Sequence, residues 1–222
     1  MNDLLPAVVI EPTGQARASV LWLHGLGADG HDFAPIVPEL GLPAALGVRF
    51  VLPHAPSIPV TINGGVTMPA WYDIAEVDLT RRHDEVGMRR SMASVRAWIE
   101  HERQRGIPSE RIVLAGFSQG GAVALYTGLR HHERLGGLVL LSTYLVGEGS
   151  LDAERTAANE AVPILQVHGS HDGVVAPTRG KAAKEALERR GYRVAFHEYP
   201  MQHEVCWEEI VVVADFLRAV LA

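Results

Sequence analysis

Six short β-rich stretches, several almost continuous in Val, Ile and Leu, are each followed by a segment of helical character. The stretches are residues 19–23, 48–52, 111–115, 137–141, 164–167 and 193–199. A strand that is apolar at consecutive positions must be covered on both faces. Helices between successive strands supply that cover, so the alternation predicts a mainly parallel central sheet with helices on both faces, an α/β architecture. The helical segments are 32–40, 84–105, 119–131, 177–190 and 207–221, and residues 7–10 could add an edge strand. In the last helix Trp207, Ile210, Val211, Ala214, Leu217 and Leu221 share one face, which predicts that this face meets the core.

The 222 residues suit one domain, 1–222, with a core large enough to be stable. A net charge of −6, with no basic stripe, argues against nucleic acid as a partner. The only cysteine, Cys206, can form no internal disulfide and reads as a small residue packed where the last helix begins. The start, MNDLLPAVVI, lacks the features of a signal peptide, and the most apolar stretch, 138–146, is too short to span a bilayer. These features predict a soluble cytoplasmic protein without stable membrane insertion.

In a sheet of this kind ligands bind at the carboxyl ends of the strands. The loop after 111–115 is the most informative. Gly116-Phe117-Ser118-Gln119-Gly120 is a G-x-S-x-G sequence between a buried strand and a helix. Glycines two residues either side of Ser118 permit the tight reversal that lifts a serine hydroxyl above the sheet. The alternative is a serine that merely caps a helix. A serine hydroxyl needs an adjacent base to act as a nucleophile. On a turn of this type the acid and the base follow in the order Ser, Asp or Glu, His. Asp172, just after 164–167, fits the acid, with Asp152 as competitor. His203, after the last strand, fits the base, with His171 as rival. Of the other histidines, His24, His54 and His168 lie near strand ends within reach of the site but read as structural groups, and His101, His131 and His132 read as solvated helix residues. Two backbone N–H groups should hold the tetrahedral oxyanion: that of Gln119, and that of Leu26 in the loop after 19–23.

That loop also carries Gly25-Leu26-Gly27-Ala28-Asp29-Gly30, a match to the dinucleotide fingerprint. The next strand ends Phe50-Val51-Leu52-Pro53 with no carboxylate for a ribose, so a nucleotide cofactor is not expected. No H-E-x-x-H zinc motif is present, and no metal is expected. Residues 53–82 are rich in Pro and Gly without periodicity. Met68, Trp71, Tyr72 and Ile74 suggest that they form an ordered wall of the site. Phe117 and Trp22 read as core residues.

The segments LHGLGADGHDF (23–33), LPHAPSIPVTINGG (52–65), MPAWYDI (68–74), LAGFSQGGAVAL (114–125), LLST (140–143), HGSHDGVV (168–175) and YPMQHEV (199–205) together resemble the carboxylesterase, lysophospholipase and acyl-protein thioesterase family of the α/β-hydrolases. The resemblance spans nearly the whole chain. It implies the α/β-hydrolase fold and hydrolysis of carboxylic esters and thioesters without metal or organic cofactor. The family's catalytic residues fall on Ser118, Asp172 and His203. By the same resemblance Met68, Trp71, Tyr144 and Val175 are candidates for the acyl pocket. No insertion is large enough for a separate lid domain, which disfavours an interfacial lipase. The expected substrate is a small-molecule or lipid-like ester with a short-to-medium acyl group. The family includes dimers, so both monomer and homodimer stay open.

Overall fold

The computed structural model describes residues 4–75 and 84–222, and the tail of the long loop, 76–82, lies outside them. A seven-stranded sheet is built from β1 (Ala7–Ile10), β2 (Ala18–Leu23), β3 (Val48–Pro53), β6 (Ile112–Phe117), β7 (Gly137–Leu141), β8 (Ile164–Gly169) and β9 (Val194–Tyr199). Their order across the sheet is β1-β3-β2-β6-β7-β8-β9. Only β1, at the edge, runs antiparallel, pairing Ala7 with Pro53 and Ile10 with Phe50. The other six strands are parallel.

Successive strand residues point to opposite faces, so an all-apolar strand feeds two cores. In β6, Ile112 and Leu114 enter one core and Val113 and Ala115 the other. The first core holds Val95 and Ile99 of α2 (Glu85–Gln104), Val123, Leu125, Tyr126 and Leu129 of α3 (Gln119–Arg130) and Leu187 of α5 (Pro177–Glu188). The second holds Val213, Ala214 and Leu217 of α6 (Trp207–Val220). Each fully buried Leu or Val contributes roughly 1.5–3 kcal/mol relative to exposure, so two cores share the stabilisation of one sheet. α2 begins at Asp84, whose carboxylate accepts the Gly87 N–H at 2.8 Å.

Four local expectations are corrected. The helix expected over 32–40 shrinks to α1 (Ile36–Glu39), because Pro35 and Pro38 remove N–H donors that a longer helix needs. Residues 53–82 contain a hairpin, β4 (Ser57–Val60) paired antiparallel with β5 (Val66–Pro69). Its strands are four residues long and include prolines, too short for a period to register. A helix, α4 (Glu148–Glu154), follows β7 unanticipated. On α6, Trp207 and Val211 are largely exposed, and Glu209 is buried instead. The core stripe runs along Val213, Ala214, Leu217 and Leu221, and in the first turn Ile210 packs against its edge while Trp207 faces outward.

Candidate active site

The β6–α3 turn forces Ser118 to φ 54°, ψ −119°. A non-glycine residue there carries strain of roughly 1–3 kcal/mol, held by its surroundings. Three hydrogen bonds hold this one. The Ser118 N–H donates to Leu141 O at 2.9 Å. Its carbonyl accepts from the Ala122 N–H at 3.1 Å and from Thr143 Oγ1 at 2.6 Å. A Cβ on Gly120 would collide with the carbonyl of Leu23, so α3 can lie this close to β2 only with glycine there.

Asp172 lies in the turn after β8 and is buried. Its Oδ1 accepts the N–H groups of Val174 and Val175 at 2.9 and 2.8 Å. Its Oδ2 lies 2.7 Å from His203 Nδ1. Against a carboxylate acceptor that nitrogen carries the proton, which leaves the lone pair on Nε2. The Phe117 ring packs against the imidazole, with centroids 4.6 Å apart. His168 braces the acid's loop from below: its Nε2 lies 2.9 Å from Val175 O and 3.5 Å from Asp172 Oδ2.

Ser118, His203, Leu26 and Gln119 line one cavity of about 440 Å³. Ile62, Ile74, Val174 and Val175 give it an apolar side, and Tyr144 and Phe117 lie on its wall. Tyr144 is held by a 2.6 Å hydrogen bond between its hydroxyl and that of Tyr72. Burial pushes the Tyr144 phenol up to about 12, so it is neutral near pH 7.

The candidate residues therefore divide. Ser118, Gln119, Leu26, Tyr144, Val175 and His203 come together on the cavity, with Asp172 directly behind His203. Met68 and Trp71 are not among the lining residues. Met68 Sδ accepts from Asn63 Nδ2 at 3.2 Å within the hairpin region. Trp71 is wholly buried, and its indole N–H donates to His24 O at 2.9 Å. Phe117, read as a core residue, is half core and half cavity wall. Ile62 and Val174 were not singled out in the sequence; their only signal was apolarity in loops after strands.

The rivals fall elsewhere. Asp152 sits exposed on α4, held by Arg190 at 2.9 and 3.0 Å. His171 is exposed, and its backbone N–H donates to Met201 O. His24 is a buried loop brace, with Nδ1 on Gly25 O at 2.7 Å and Nε2 accepting from the Ala55 N–H at 3.0 Å. Burial lowers its pKa. Cys206 is the N-cap residue of α6. His131, expected to be solvated, is buried beside His132 at the end of α3, and burial drops its pKa to about 4. The G-x-G-x-x-G glycines lie in turns well before α1, not at a helix N-terminus that could hold a pyrophosphate. Among the described residues one group could offer metal ligands: Asp29, His31 and His54, with ligand atoms within 4.8 Å of one another. These atoms already serve the loop, His31 Nδ1 meeting Asp29 Oδ1 at 3.0 Å and His54 Nδ1 accepting the Gly30 N–H at 3.1 Å.

The family model for phospholipases and carboxylesterases matches residues 5–221. The chain belongs to the phospholipase/carboxylesterase family. It is an α/β-hydrolase and a carboxylic ester hydrolase of that family. It is 39% identical to acyl-protein thioesterase 1 of Neurospora crassa, over 96% of this chain and 90% of the relative. It is also 39% identical to acyl-protein thioesterase 1 of Gibberella zeae, over 95% and 94% of the two chains. The crystal structure of Zea mays acyl-protein thioesterase 2 superposes with a TM-score of 0.87 at 30% identity, covering 98% of this chain and 100% of that one. No helix among the described residues is long and apolar enough to cross a membrane.

Proposed function

We propose that this family member hydrolyses carboxylic esters and thioesters of short-to-medium acyl groups through Ser118, His203 and Asp172. The observation that carries the reading is the 2.7 Å contact between His203 Nδ1 and Asp172 Oδ2 behind a cavity that Ser118 also lines. His203 Nε2 takes the hydroxyl proton as Ser118 Oγ bonds to the acyl carbon. The carbonyl π electrons move onto oxygen, and the N–H groups of Leu26 and Gln119 stabilise that oxyanion. The intermediate collapses, the bond to the leaving oxygen or sulfur breaks, and His203 returns the proton to the leaving group. Water then repeats the sequence on the acyl-enzyme and releases the acid. Asp172 keeps the imidazole in the right tautomer and offsets its transient positive charge. No metal or organic cofactor takes part in this scheme.

The cavity falls in the size range of small-molecule sites, and its apolar side suits an acyl chain. The relatives' thioesterase names favour a second reading, in which acylated protein is the main substrate. Hydrolysis of a p-nitrophenyl acyl series from acetate to palmitate, in wild type and Ser118→Ala, tests the chemistry. Turnover of the shorter esters by wild type alone is expected, and equal turnover by both proteins would overturn the assignment. Comparing kcat/KM on those esters with that on an S-acyl cysteine peptide separates the two substrates.

A further inference from the structure

Two amides must point at one oxyanion, yet they come from different parts of the chain. β2 and β6 pair as far as Leu23 and Gly116, which brings the two segments side by side, but the ladder ends before either amide, and the Leu26 loop needs further ties to hold its place beside Gln119. The segment from Pro69 to Tyr72 bonds to both sides of the gap. Pro69 O accepts the Gly27 N–H at 2.8 Å. The Trp71 indole N–H donates to His24 O at 2.9 Å. These contacts bracket Leu26, one on either side along the chain. On the other side, the Gln119 side chain meets the same segment twice. Its Oε1 accepts the Trp71 N–H at 2.8 Å, and its Nε2 donates to Tyr72 O at 2.8 Å. The segment is itself tied down, because Ser91 Oγ on α2 donates to Trp71 O.

Trp71 is thus the point where both arms meet. Its backbone holds the Gln119 arm and its ring holds the Leu26 arm. It is 0% exposed, and Gln119 is 1% exposed. Water cannot substitute for these bonds without opening the core, so each is costly to break. A residue expected to touch the acyl chain instead lies behind the site.

We infer that Trp71 is a positioning residue, whose indole N–H sets the placement of the Leu26 amide relative to the Gln119 amide and so shapes the oxyanion hole. The inference rests on the proposed roles of those two amides. A donor set misplaced by a fraction of an ångström keeps ground-state binding and loses transition-state binding.

Trp71→Phe removes the N–H and keeps most of the ring. Its kcat is expected to fall about 10- to 100-fold with KM within about twofold of wild type. The inhibition constant of an acyl trifluoromethyl ketone should weaken by the same factor as kcat/KM, because its adduct with Ser118 bears the oxyanion. Gln119→Met cuts the other arm while keeping the backbone N–H, and should give the same signature even where Trp71→Phe folds poorly. Thermal unfolding of both variants checks that the fold is intact. The inference is overturned if folded variants keep wild-type kcat and inhibitor affinity, or if KM alone rises as for a lost pocket wall. Ser118→Ala, run beside them, separates the failures. If it stays active, the serine mechanism is wrong; if it is inactive while Trp71→Phe matches wild type, only the positioning role fails.

Discussion

Asp172 commits both carboxylate oxygens: one to the amides of Val174 and Val175, the other to His203 Nδ1. The two amides fix the carboxylate, and the fixed carboxylate aims the imidazole. Asp172→Asn keeps the size and the acceptor for the amides but can present N–H to His203. The imidazole then turns its proton to Nε2, where it cannot accept one from Ser118. We expect kcat to fall by roughly 10³–10⁴, with far-UV circular dichroism unchanged. Steady-state kinetics on a p-nitrophenyl ester decide this, and a loss of less than about tenfold would mean that Asp172 does not set the tautomer. Sequence order alone pointed to Asp172 and His203, because each lies in the loop after a parallel strand and so must sit at the sheet's carboxyl edge. The role of Trp71 was not legible in the same way. Its place in a loop rich in apolar residues suggested a cavity wall, and only the packing of three distant segments turns its ring inward to His24 O.

At the scale of elements, the strands were legible because continuous Val, Ile and Leu leave one solution, a sheet covered on both faces. The β4–β5 hairpin, α1 and α4 were not, since four to seven residues carry too little pattern to outweigh prolines and polar neighbours. The orientation of α6 was half legible. Its lower stripe is as expected, but its first turn buries Glu209 and exposes Trp207. Burial pushes the Glu209 carboxyl up to about 8, against the smaller opposing effect of the Cys206 backbone N–H. The native state therefore keeps a proton that the unfolded chain, with an ordinary carboxyl near 4.5, has released. Stability from this group is complete below about pH 4.5, declines as pH rises and is lost above about 8. The loss is on the order of 3–5 kcal/mol. Glu209→Gln, an isostere of the neutral acid, should unfold at higher urea than wild type at pH 8.5 and show little or no advantage at pH 4.5. The same urea midpoint difference at both pH values would show that folding does not raise the Glu209 carboxyl above its unfolded value.

Over the whole molecule, the site is assembled by chain segments that meet only at one edge of the finished sheet. Ser118 hangs from central β6, but His203 follows β9, the outermost strand, and Asp172 follows its neighbour β8. β9 has a sheet partner on one side only, and several of its side chains are exposed, whereas β6, β7 and β8 are buried almost throughout. Local opening costs least where few apolar contacts must be broken. α6 stays anchored through Val213, Ala214 and Leu217, so the weak unit is β9 with the His203 loop and not the whole carboxyl-terminal region. His203 itself is tied to the rest of the site by its 2.7 Å bond to Asp172 and the Phe117 ring, and its loop by the backbone bonds of Ser170 to Tyr199 O and His171 to Met201 O. Ester hydrolysis should then be lost at a lower urea concentration than far-UV ellipticity, and the amides of β9 should exchange with deuterium faster than those of β6 and β7. The nucleophile turn, carried by the central strand, should still be structured in that window, with the base displaced from it. Superimposable activity and ellipticity curves would mean that the edge strand and the central strands open only together, and that the base leaves the site only when the entire sheet does.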